Sequence, residues 1–230
     1  MIRSVAVAVA ALAMGGGAYA AAPGCRVPSN FEVPHMETPG PDQPRRSMPI
    51  ASYTLALIWT PQHCFRPVGG AESLRCEQRG KAGFILHGLW PDGEGGSWPQ
   101  WCAAAAPLPR ETIAAHYCAT PSPQLLQHEW AKHGTCIAGA TPDSYFGQSS
   151  RLFYGLRFPD MRALASRPLT EARFAQAFAA ANHRMAPENV RLNVDDGGWL
   201  QEVWLCLDTS FHPTRCAGPA HAMRKIRIRL

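Results

Sequence analysis

From residue 50 onward the chain alternates short apolar runs with longer stretches of helical spacing. Ser52 to Trp59, SYTLALIW, sets Tyr53, Leu55, Leu57 and Trp59 on one face, and its other face is also largely apolar. That pattern predicts a central strand covered on both sides. Gly83 to Trp90, GFILHGLW, is a second apolar run, and Glu202 to Asp208, EVWLCLD, a third. Lys225 to Leu230, KIRIRL, alternates cleanly, which reads as a half-buried strand with a solvated basic face rather than an RNA contact. Helical patterns fill the middle. Thr141 is placed as an N-cap with Pro142 at the first helical position, and Thr170 similarly precedes EARFAQAFAAAN, with Phe174 and Phe178 one turn apart. PQLLQHEWAKHG is a further helix, with Gly134 as its expected stop. Strands at both ends and helices between them predict an α+β fold, an antiparallel β-sheet core with several helices packed around it.

The N-terminal part follows different rules. Met1 to Ala20 has a basic Arg3, an apolar run from Val5 to Met14 and an Ala18-Tyr19-Ala20 ending, the layout of a cleaved signal peptide. Residues 21–49 are rich in proline and polar side chains, which rules out helix and central strand and predicts an extended arm or linker. Residues 50–230 have the length of one domain with a real core.

The chain has eight cysteines and no CxxC spacing, which in an exported protein suits disulfides better than zinc. Lipidation of Cys25 would leave an odd number, and Ala22-Pro23-Gly24 is a poor attachment box. Each bridge contributes roughly 2–4 kcal/mol. The formal charge is +5, of which Arg3 supplies one positive. That mild excess permits a polyanionic partner without identifying one.

Chemistry concentrates in HEWAKHGTC, His128 to Cys136. On a helix Glu129 and His133 share one face, and His128 and Lys132 the neighbouring one. Zinc is a poor fit. A metalloprotease helix needs histidines four apart, whereas His128 and His133 are five apart, about 140° around the helix. His87, where an apolar strand meets glycine-rich sequence, supplies a second titratable group.

FILHGLWPDG and HEWAKHGTC resemble the two active-site segments of the T2 ribonuclease family, secreted transferase-type ribonucleases. SYTLALIW with Cys64, the PDSYFG stretch and LQEVWLCLD extend the similarity over most of residues 50–230, with the proline-rich arm outside it. The resemblance implies a catalytic domain over 50–230 that is a metal-independent endoribonuclease without cofactor. It would cleave single-stranded RNA to a 2′,3′-cyclic phosphate and then hydrolyse this to a 3′-phosphate. By the same resemblance His133 is the general base and His87 the general acid. Glu129 and Lys132 stabilise the transition state, His128 holds the phosphate, and Trp90 and Asp92 contact a base. Glu129 is equally able to orient the His133 ring or to bond a phosphoryl oxygen. Trp98, in the loop after Asp92, either stacks a base or packs its loop, and Leu125 is a candidate for the downstream base pocket.

The family pattern pairs Cys102 with Cys136. Cys64 with Cys76 and Cys206 with Cys216 are plausible local pairs, and Cys25 with Cys118 follows by exclusion. Trp59 and Trp130 are read as core, and His116, His183, His212 and His221 as surface. The expected partner is RNA, with no DNA cleavage because DNA lacks the 2′-hydroxyl nucleophile. The expected state is a monomer, secreted or periplasmic, with no membrane association. The alternative is a non-catalytic binding or inhibitory protein on the same scaffold.

Overall fold

The computed structural model describes residues 25–65, 76, 83–218 and 223–230. The expected signal peptide and His221 lie outside the described residues. The architecture is α+β. Strand β1 (Ser52–Trp59) continues into a single helical turn, α1 (Thr60–His63), and β2 (Phe84–Asp92) returns beside it. Helices α2 (Arg110–His116), α3 (Pro123–Lys132), α4 (Pro142–Tyr154) and α5 (Met161–Ala165) follow. The two-residue β3 (Leu169–Thr170), helix α6 (Glu171–Ala181), β4 (Val190–Val194), β5 (Leu200–Leu207) and β6 (Lys225–Ile226) complete the order. The main sheet is antiparallel with order β2-β1-β5-β4, and β3 pairs with β6 in a small second sheet. β1 is therefore interior, as its two-sided apolar pattern requires.

Caps and pleat follow the sequence closely. Thr141 and Ser144 form a capping box at the start of α4, and the Thr170 hydroxyl accepts from the Arg173 amide at α6. Leu55, Leu57 and Trp59 of β1 join Leu86 and Leu89 of β2 and Val203 and Leu205 of β5 on one sheet face. Tyr145, Phe146 and Phe153 of α4 and Phe174 and Phe178 of α6 lie in the same core. The opposite pleat positions of β5, Glu202 and Trp204, are the ones left for chemistry.

One irregularity matters more than the regular pairing. Ala56 pairs with Gly88 but Leu57 with Leu86, so His87 is the extra residue of a β-bulge. A bulge re-aims the side chain it carries. His87 and Gly88 together occupy the non-core side between the buried Leu86 and Leu89.

All eight cysteines are bridged: Cys25–Cys118, Cys64–Cys76, Cys102–Cys136 and Cys206–Cys216. Cys136 is thus no metal-binding thiolate. The arm is not a loose linker. After Cys25, Phe31 is buried against Tyr117 with the Arg110 guanidinium over its ring, and Arg46 exchanges both backbone hydrogen bonds with Gln100.

Two expectations need correction, and one needs its reason amended. His116 is buried, with Nδ1 at 3.1 Å from the Ser150 hydroxyl and its ring beside Phe146, because it continues the inward stripe Thr112, Ile113 on α2. Helix α3 ends at Lys132 with His133 as its C-cap, so it stops at Gly134 as expected, although this glycine is not left-handed. A Cβ there would fall 2.2 Å from the Trp130 ring, so the glycine is needed for close approach. In KIRIRL only Lys225–Ile226 is regular strand, although Ile226 and Ile228 are buried as the alternation requires. Arg229 lies over Phe65 and Trp199, and Arg224 pairs with Glu171, so these cations serve packing within the chain.

Candidate active site

The site forms where β2, at the sheet edge, meets α3. Ser122 caps α3 by accepting from the Leu125 amide, and Pro123 fills the first helical position. One turn further on, Glu129 points at β2, and its approach is possible only because residue 88 is glycine. A Cβ at Gly88 would sit 1.8 Å from Glu129 Oε2. The Tyr145 hydroxyl donates to the Leu89 carbonyl at 3.0 Å and fixes the strand just past His87. Cys102–Cys136 ties the loop after β2 to the turn that follows α3.

His87 is flanked by two carboxylates. Its Nδ1 lies 2.6 Å from Glu202 Oε1, and since a carboxylate only accepts, that nitrogen carries the proton. Its Nε2 lies 3.5 Å from Glu129 Oε1. Glu202 is itself held, accepting from Trp204 Nε1 at 2.8 Å and Asn193 Nδ2 at 3.1 Å. Burial works to raise Glu202, but the hydrogen bond and charge of His87 outweigh it and hold the carboxyl below its ordinary value. Glu129 is the opposite case. Burial dominates and pushes its carboxyl up, with the charges of His87, His128 and Lys132 and the Trp90 hydrogen bond opposing.

Trp90 joins the two histidines. Its indole N–H donates to Glu129 Oε2 at 2.8 Å. Its ring meets His87 edge-on with centroids 5.0 Å apart and stacks on His133 at 5.5 Å. No more than the sum of those two distances separates the imidazole centres. Burial drives His133 well below the usual imidazole value, helped by the positive charges of Lys132, His128 and His87. Its Nδ1 is buried and makes no hydrogen bond among the described residues. Nor does Glu129 bond that ring. Its contacts are to Trp90 and His87.

Lys132 is lowered by burial, with Glu129 and Glu37 opposing. His128 stands on the neighbouring face of α3, edge-on to Trp101, with Nδ1 on Glu37. The remaining candidates lie further out. Asp92 accepts from the Thr54 hydroxyl at 2.7 Å, and burial raises its carboxyl. Trp98 is 42% exposed, held by its N–H on Gln100 and by Arg46 over its ring, and among the described residues it touches neither His87 nor His133. Leu125 is half-buried one turn before Glu129. A cavity of about 700 Å³ is lined by Glu202 together with Ile58, Asn193, Asp195, Asp196, Trp199 and Arg229, and its lining does not include His87, Glu129, Lys132 or His133.

Sequence reasoning gave no role to Glu202, Trp204, Asn193 or Glu37. A signal for Glu202 was present, an acid heading the apolar run VWLCL. Glu37 had none. Among the described residues no group of three or more His, Cys, Asp or Glu side chains is arranged to hold a metal.

The sequence model of the Ribonuclease T2 family matches residues 50–216. The chain belongs to the ribonuclease T2 family. A protein named ribonuclease from Aeromonas hydrophila is 32% identical over 165 residues, covering 68% of this chain and 71% of that protein. A probable ribonuclease from Haemophilus influenzae is 32% identical over 126 residues, covering half of this chain and 46% of its own length. Among solved structures, trichomaglin, described as an S-like ribonuclease, superposes with a TM-score of 0.64 over 78% of this chain and 97% of its own, at 20% identity. The T2 match begins at residue 50, so the arm and its Glu37 stand outside it.

Proposed function

We propose that this T2-family chain is an endoribonuclease that cleaves RNA by attack of the ribose 2′-oxygen on the adjacent phosphate. One observation carries the reading: His87 and His133, far apart in sequence, pack on the same Trp90 indole with buried Glu129 between β2 and α3. Internal transfer needs a base at the 2′-oxygen and an acid at the 5′-oxygen, on opposite sides of phosphorus. His133, kept neutral by burial, suits the base. His87, with an ionised carboxylate at Nδ1, suits the acid, because that partner stabilises the doubly protonated ring.

Proton flow balances. His133 takes the 2′-hydroxyl proton, the 2′-oxygen to phosphorus bond forms, the bond to the 5′-oxygen breaks, and His87 protonates the leaving alkoxide. A 2′,3′-cyclic phosphate results. Water then enters with the roles reversed and leaves a 3′-phosphate. Lys132 supplies positive charge where the phosphorane gains negative charge. Glu129, its carboxyl raised by burial, supports the phosphorane through a phosphoryl oxygen. His128 holds the phosphate, and Trp98 and Asp92 belong to the base-contacting periphery. The bridged cysteines suit an oxidising, exported location.

Purified protein incubated with RNA in excess EDTA should yield fragments ending in cyclic phosphate, with DNA left intact. Absence of cyclic ends would sink the assignment. Activity should follow a bell on the acid side of neutral, and a rate flat from about pH 4 to about pH 9 contradicts paired imidazoles.

A further inference from the structure

The arm places a carboxylate on the active-site helix. Gln124, His128 and Lys132 form a stripe with one residue per turn along α3, and residues 35–37 lie over it. His128 Nδ1 is 2.5 Å from Glu37 Oε2. Gln124 Nε2 donates to Glu37 Oε1 at 2.5 Å, and the Gln124 side chain also bonds the His35 amide and carbonyl. Both oxygens of Glu37 are therefore engaged, as are those of Glu202, where Oε1 meets His87 and Oε2 accepts from Trp204 and Asn193. We infer that Glu37 is a positioning residue for the reaction: it fixes the His128 ring through Nδ1 and leaves Nε2 to donate to the substrate phosphate, which makes the N-terminal arm a working part of the catalytic unit.

The rival idea is that Glu37 imitates a phosphate and blocks the site. The anchoring of the arm argues against it. A competitor must step aside, but this segment is held by Cys25–Cys118 and buried Phe31 on one side and by the Arg46–Gln100 pairing on the other. The Glu37 side chain is 23% exposed and that of His128 26%, so the pair is shielded from water and its charge-assisted bond keeps much of its strength. Burial works to raise the Glu37 carboxyl, but the hydrogen bond and charge of His128, the Gln124 hydrogen bond and the charge of His35 outweigh it, so it is ionised at neutral pH. Because the family match begins at residue 50, this support is supplied by the part of the chain outside the match.

The inference rests on His128 as the phosphate ligand, and its test separates the two. In the full-length chain Glu37→Gln should raise KM for RNA roughly 3–10-fold while kcat stays within about twofold. Gln124→Ala, which loosens Glu37 without touching His128, should raise KM by a smaller factor. Proton NMR of the wild type should show a downfield, slowly exchanging imidazole N–H from His128 that disappears in Glu37→Gln. An unchanged or lowered KM in Glu37→Gln overturns the inference, a lowered one in favour of the blocking carboxylate. Wild-type protein that fails to cut RNA would instead remove the ribonuclease reading. The imidazole resonance and the affinity for inorganic phosphate, neither of which needs turnover, then decide the role of Glu37.

Discussion

His87 and His133 place one kind of side chain in two unlike surroundings. His87 stands in a strand bulge with Nδ1 on a carboxylate that Trp204 and Asn193 hold in place. His133 ends a helix, almost wholly buried, with its Nδ1 unmatched among the described residues and Lys132, His128 and His87 as its charged neighbours. The first setting favours a ring with two protons, the second a ring with one. In the proposed reaction the direction of proton transfer would be set by what surrounds each imidazole, since the imidazoles themselves are identical.

The comparison breaks most completely when one ring is removed. His87→Ala should lower kcat by about 10²–10⁴-fold with its unfolding midpoint nearly unchanged, measured by steady-state cleavage and calorimetry. His133→Ala should match it in kcat. Next comes Glu129→Gln, with kcat falling about 10²–10³-fold while the melting temperature at pH 7 rises by roughly 2–4 °C. The sign follows from burial. The folded-state pKa of Glu129 lies above the unfolded one, so its contribution favours folding at acid pH and is lost as pH rises through the folded value. At neutral pH the ionised form is a liability that the amide lacks, and a lowered melting temperature would refute this.

Glu202→Gln sharpens the contrast from the other side. It should cost roughly 10–100-fold in kcat and move the alkaline limb of the pH profile to lower pH, leaving the acid limb in place. Movement of the acid limb instead would mean that the acid and base roles are exchanged. The smallest effect belongs to Trp90→Phe, which keeps the platform under both rings but removes the N–H on Glu129. About a three- to tenfold loss in kcat is expected, since a buried carboxyl oxygen loses its donor.

How much of this was legible in the sequence depends on range. Local rules reached the caps at Thr141 and Thr170, strand β1 to the residue, and the placement of Glu129 and His133 on one helical face. They missed β4, VRLNV, although Val190, Leu192 and Val194 alternate with polar residues over its five positions, and they missed the burial of His116, where a helical stripe ran through a polar residue. The bulge at His87 is invisible to any periodicity, because it appears only when β2 is laid against β1. Contacts such as Glu202 on His87 and Glu37 on His128 join residues 115 and 91 positions apart, and nothing within a helical turn or a strand pair announces them. The resemblance of HGLWP and HEWAKHGTC carried the histidines and not the carboxylates behind them.

The bridge between Cys25 and Cys118 has a bearing on durability. A protease that nicks the backbone anywhere between residues 26 and 46 leaves the upstream stump fastened through sulfur to the turn following α2. Shedding that piece takes a reductant as well as a cut.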